Sequence, residues 1–129
     1  MNNHEDYVTY DQAVKLKELG FDWECNHSYY GRRSKSLIGF CTYHDFNKNG
    51  GPNECSAPTL AQAQKWLREV KETEIIVNFV NVGIYDYIIY GKYVNINSET
   101  YFNFYEQALS TGINRAIELL KQQTNGNQD

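Results

Sequence analysis

Three cysteines and two of the three histidines are the residues of this 129-residue chain best placed to do chemistry. Cys25-x-His27 and Cys41-x-x-His44 offer the thiolate and imidazole ligands that zinc prefers, with Cys55 close behind. Zinc sites are usually built from tight knuckles such as C-x-x-C, in which one turn presents two ligands together, and no such knuckle is present. Strand geometry narrows the set. A period of two puts Cys25 and His27 on one face but points Cys41 and His44 to opposite faces. A turn in the polar segment between the two strands sets Cys25 opposite Thr42 and Trp23 opposite His44. Cys25, His27 and His44 are then the trio that could share a face. The competing reading is small buried thiols and histidines bonded to near neighbours, and it leaves no cofactor to expect. A Cys25–His27 nucleophile lacks a third group to orient the imidazole. Nucleophile elbow, P-loop and dinucleotide fingerprint are all missing, and YGRRSKSLIGF is not G-x-G-x-x-G. The expectation is a protein without catalytic residues.

Tyrosine is the second resource, with eleven in the chain. Tyr85, Tyr87, Tyr90 and Tyr93 are spaced along one strand region, where aromatic rings could stack on unpaired bases. Arg32, Arg33 and Lys35 add a small basic turn. Against nucleic acid stand a net charge of −4, a pI near 5.3 and the lack of an RNP-like aromatic pattern. Tyrosine is also favoured at protein interfaces, being large, stiff and polar at one end. The tyrosine-rich sheet face is therefore read as a surface for a protein partner or a second copy of the chain, most simply in a homodimer. Single-stranded nucleic acid is the alternative.

These residues need elements to hold them. Thr9 to Gly20 reads as a first helix, with Thr9 as cap, Gln12 at capping-box spacing and Gly20 as the stop. FDWECNHSYY and LIGFCTYHDF read as two strands around the turn GRRSKS. NKNGGPNECSAP reads as the clearest loop. APTLAQAQKWLREVK follows as a helix capped by Thr59, with Gln62 placed to reach back to the cap amide. Its apolar stripe is Leu60, Ala63, Leu67 and Val70, with Trp66 alongside. Every notable residue in that stretch has a structural task, and none is a nucleophile, a histidine or a buried carboxylate. EIIVNFVNV and YDYIIYGKYVNI read as a hairpin turning near Val82–Gly83, and SETYF as a further short edge strand. A last helix runs from about Phe104 to Gln122, with Asn103 as cap and a stripe of Leu109, Ile113, Ala116, Ile117 and Leu120. Gly112 interrupts that helix at a propensity cost of about 1 kcal/mol against alanine, which marks close packing against a neighbour.

The order predicts an α+β fold in a single domain over residues 1–123: a helix, then two strand–strand–helix units. The sheet is antiparallel, with helices packed on one face. Residues 124–129 read as a disordered polar tail. EIIVNFVNV is apolar on both of its faces, which a singly covered strand does not need. Association through the open sheet face or a strand edge would account for it.

APTLAQAQKWLRE (Ala57–Glu69) together with YEQALSTGI (Tyr105–Ile113) resembles small uncharacterised proteins of gut bacteria, their prophages and mobile elements. Those proteins pair an APTL-x-x-AQ-x-WLRE-like helix with a closing YE-x-AL-x-x-GI helix, and tend to begin with a Thr-capped helix ending in Gly-Phe, as Thr9–Phe21 does here. The resemblance spans most of the chain. It implies an α+β fold and a phage-related context, and it supplies no catalytic residues. The tyrosine-rich strands and the Asn/Gly loop depart from the pattern.

MNNHEDYVTY has neither the basic patch nor the apolar run of a secretory signal, and no stretch nears the ~18 apolar residues that span a bilayer. With three cysteines, an odd number, reduced thiols in a cytoplasm are expected.

Overall fold

The computed structural model describes residues 6–32, 35–92 and 94–126, the last three without their side chains. Over these residues the order is α1 (Tyr10–Glu18), β1 (Cys25–Tyr30), β2 (Ser36–His44), α2 (Phe46–Asn49) and β3 (Glu54–Ser56), followed by α3 (Leu60–Lys71), β4 (Glu74–Asn81), β5 (Ile84–Tyr90), β6 (Asn95–Asn97) and α4 (Tyr105–Gly126). The fold is α+β, and every strand pair is antiparallel. The strands form two sheets of three, ordered β2-β1-β3 and β4-β5-β6, where the sequence reading joins them in one. The cause is β3, a strand inside the segment read as loop. It occupies the second edge of β1 and makes that sheet three-stranded. The chain clusters into two compact units, Met1–Gln62 and Ala63–Asp129, with the division inside α3.

In the first unit α1 starts as its sequence dictates. Thr9 accepts from the Gln12 amide at 3.2 Å, and the Thr9 amide donates to Gln12 Oε1 at 2.8 Å, a complete capping box. The helix closes on Gly20 at φ +97, with Phe21 N–H bonded to the Leu16 carbonyl and Gly20 N–H to that of Lys17. Leu16 and Phe21 are both buried under this closure.

A bulge between Cys25 and His27 shifts the β1–β2 register, so that Cys25 faces His44 and His27 faces Gly39. The expected pairing of Cys25 with Thr42 is therefore corrected by two positions: one residue of β1, Asn26, lies opposite four of β2, Phe40–Tyr43, and the extra length on β2 displaces everything beyond it. Asp45 caps the one-turn α2 by accepting from the amides of Asn47 and Lys48. The Asn47 carboxamide then ties that turn to the Phe21 carbonyl and the Ser56 amide, both at 2.9 Å. These bonds order a stretch rich in Asn, Gly and Pro. Tyr29 and Ser28 alternate across β1. Tyr29 reaches the Val8 carbonyl just before α1, and Ser28 bonds the Glu54 carboxylate.

The Thr59 hydroxyl accepts from the Gln62 amide at 3.1 Å, as a cap should. The Gln62 side chain does not close the expected box: its amide donates to the Glu24 carbonyl at 2.9 Å and its oxygen accepts from Cys25. Leu60, Ala63, Trp66 and Leu67 of α3 are buried, whereas Val70 is exposed and leaves the predicted stripe.

In the second unit β4 and β5 form the expected hairpin, turning at Val82–Gly83 with Gly83 at φ +68. Helix α4 packs on both strands, burying Ala108, Leu109, Ile113, Ala116 and Ile117. It continues through Gly126, into what the sequence suggests is tail. The third strand is β6 at Asn95–Asn97, and the SETYF segment adds only a bridge from Phe102 to Tyr85. Arg33, Tyr93 and the tail beyond 126 lie outside the described residues.

Candidate functional site

The cysteine and histidine candidates each have local work to do. Cys25 is buried, its sulfur 3.7 Å from both the Trp23 carbonyl and Gln62 Oε1. Burial pushes its thiol pKa up to about 12, with a hydrogen bond to Ser56 opposing and Asp45 adding to the rise. That thiol stays protonated near neutrality, which disfavours it as nucleophile or metal ligand. His27 Nδ1 lies 2.9 Å from Asn26 Oδ1, and its ring lies 4.2 Å from that of Tyr7. His44 Nε2 lies 2.6 Å from the Thr42 hydroxyl, and its ring rests edge-on against Phe46. Although Cys25 and His44 are register partners, among the described residues no three His, Cys, Asp or Glu side chains gather where a metal ion could be held. Burial also raises the thiol pKa of Cys55, while Cys41 is exposed.

The four tyrosines do not form one platform. Tyr85 and Tyr87 share the face of β5 that α4 covers, and Tyr90, an odd number of residues on, projects from the opposite face. Tyr87 is 7 % exposed, lying beside Gly112 and stacked on Phe102 at 5.9 Å. It is a core residue, which corrects its expected place in an open binding face. Desolvation accordingly raises its hydroxyl pKa. Tyr85 is half-buried between edge-on contacts with Phe79 and Tyr105. Tyr90 keeps an exposed ring beside Glu74 and Arg68.

Two surfaces missed in the sequence reading stand out. One is the end of the β4–β5 hairpin, where Phe79, Val80 and Val82 are exposed; in the same unit Tyr101 and Phe104 are exposed just ahead of α4. The other is β2, all nine residues of which are exposed. This strand, SLIGFCTYH, is the outer member of its sheet and contains neither proline nor an acidic, lysine or arginine side chain. Edge strands are ordinarily guarded by such residues or by bulges, because their free N–H and C=O groups template further pairing; β2 has the irregularity between Gly39 and His44 but no guarding side chain of these kinds. The other edges differ. Strand β4 has its Ile75 carbonyl bonded to Gln64 at 2.7 Å. Strand β3 is three residues long, and its Glu54 carbonyl accepts from Lys17. Among the described residues no hydrogen bond from outside the β1–β2 ladder reaches the β2 backbone. The signal was present in the sequence as a nine-residue run without formal charge.

No protein-family model, curated protein or solved structure matches the chain. Among the described residues no helix is long and apolar enough to cross a membrane.

Proposed function

We propose that this chain is a non-catalytic binding domain that associates with a second copy of itself by pairing strand β2 across a two-fold axis. The observation that carries the reading is the open edge of Ser36–His44: long, uncharged, and lined by Leu37, Ile38, Phe40 and Tyr43, each at least 37 % exposed. Antiparallel self-pairing near the middle of the strand brings no acidic, lysine or arginine side chain opposite its like and buries the apolar side chains of both copies. It gives the expected homodimer a strand edge as its contact in place of a tyrosine face. A cytoplasmic protein of phage or mobile-element origin fits the helix resemblance and the thiol content. The oligonucleotide reading loses support because Tyr87 is buried and Tyr90 lies on the other side of the sheet from Tyr85.

Native mass spectrometry of the wild type and of Phe40→Lys tests this. The expected result is a dimer that the lysine converts to a folded monomer. Cys41 lies one residue from Phe40, the centre of the strand, and so within about 7–8 Å of its copy in a centred pairing. A short bismaleimide should therefore link two wild-type chains through Cys41 and fail with Cys41→Ser. A wild-type protein that remains monomeric throughout its soluble range sinks the proposal. Salt-sensitive binding of an oligonucleotide by such a monomer would restore the alternative.

A further inference from the structure

The first unit holds an open cleft of about 180 Å³. Tyr10, Val14 and Lys17 of α1 form one wall, Lys35 ahead of β2 a second, and residues 52–55 the third. Two lysines therefore line one small space. Neither has a carboxylate within ion-pair reach among the described residues. Lys17 Nζ donates to the Glu54 carbonyl at 3.2 Å, and Lys35 Nζ donates to the Gly31 carbonyl. Each ammonium carries three donors, so each has two more to offer. The acid on this wall, Glu54, turns its carboxylate to the hydroxyl of Ser28 at 2.7 Å. Both cations also act on the buried Cys55 thiol, each drawing its pKa down against the desolvation that raises it, while the Glu54 carboxylate adds to the rise.

Two cations held on separate walls, in a chain of net charge −4, leave a local excess that a guest anion would neutralise. Lysine serves oxyanions as a point charge with donors in three directions, which suits a tetrahedral group better than a flat one. Beside the ammoniums lie the Tyr10 ring, with Lys35 Nζ 5.5 Å from its centroid, and the apolar surfaces of Val14 and Pro52. The volume falls below the ~300 Å³ at which drug-sized ligands begin to fit, so the guest is small. We propose that this cleft binds a small phosphoryl compound, its oxyanion held between Lys17 and Lys35 and any aromatic or aliphatic part lying on Tyr10. Free phosphate and a phosphomonoester share this chemistry, and Tyr10 distinguishes them.

The test is a two-dimensional amide NMR titration with sodium phosphate, phenyl phosphate and benzoate, against sodium chloride at matched ionic strength. The expected result is saturable shifts at Lys17, Lys35 and residues 53–55 with both phosphates. Phenyl phosphate should bind the tighter of the two if a phosphomonoester is the natural guest, and equally if free phosphate is. Lys17→Met and Lys35→Met should each weaken binding about tenfold, the scale of one charge-assisted hydrogen bond. Shifts that chloride reproduces, that spread over the whole surface, or that survive both substitutions overturn the proposal, as does benzoate binding more tightly than phenyl phosphate. Should the variants fail to fold, the wild-type titration decides alone, since saturation confined to these residues supports the site and anything else rejects it.

Discussion

Gly112 of α4 lies so close to Ile75 of β4 that a Cβ built on the glycine would come within 2.8 Å of the isoleucine Cγ2. Ile75 is fully buried and cannot step aside, and the Tyr87 ring stands at 3.4 Å on the same spot. Alanine would gain about 1 kcal/mol of helix propensity, whereas overpacking a core costs about 1–3 kcal/mol. Gly112→Ala should therefore lower stability by about 1 kcal/mol, read as a reduced urea midpoint at unchanged slope. An increase would mean that α4 rides higher on the sheet than described.

The division of the tyrosines predicts unequal costs. Tyr87→Ala empties a buried aromatic site and should cost about 3–5 kcal/mol, while Tyr90→Ala removes an exposed ring and should stay within about 0.5 kcal/mol. Chemical denaturation of the two variants checks this, and equal effects would put the two rings on one surface after all.

The thiols should separate by reactivity. Cys41 is exposed on β2 while Cys25 and Cys55 are buried. A disulfide reagent at neutral pH should modify one thiol per chain quickly and the other two only on unfolding. A fast phase lost in Cys41→Ser would complete the assignment.

Alkaline pH should weaken the fold. Burial raises the Cys25 thiol from 9.0 to about 12, so the folded chain holds that proton more tightly than the unfolded chain does. The stability this represents is constant below pH 9 and declines as pH rises from 9 toward about 12. Tyr29, Cys55 and Tyr87 are raised by burial as well and act in the same direction. The urea midpoint should fall through this range, and Cys25→Ala should flatten the fall. A midpoint that climbs there would contradict the burial of Cys25.

The Thr9 cap offers a smaller and more local test. Thr9→Ala removes the acceptor for the Gln12 amide and should cost about 1 kcal/mol, seen in thermal melts.

Features set by local chemistry were legible from the residues alone. Thr9 with Gln12, the Gly20 stop, the Gly83 turn and the stripe of α4 all follow from rules that operate within a few residues, and the glycine at 112, out of place in a helix, marked a close contact without naming its partners. What escaped depends on partners distant in sequence. Glu54–Ser56 has only three residues, too few for a periodic pattern, and it becomes a strand because β1 offers it an edge. The bulge after Cys25 leaves no mark in composition, yet it moves His44 opposite Cys25. Gln62 looks like half of a capping box until Glu24 and Cys25 arrive beside it. Parity along β5 already separated Tyr85 and Tyr87 from Tyr90, but only the position of α4 says which face is covered.

The placement of β1 between β2 and β3 has a consequence for the order of synthesis. The β1–β2 hairpin is complete once His44 has been made, but the strand that closes the far side of β1 begins only at Glu54. A chain made at about 5–20 residues per second therefore leaves the free margin of β1 without its partner strand for about a second. During that interval β1 can accept any strand that reaches it, and its own β3 is favoured by the short tether that joins it to β2.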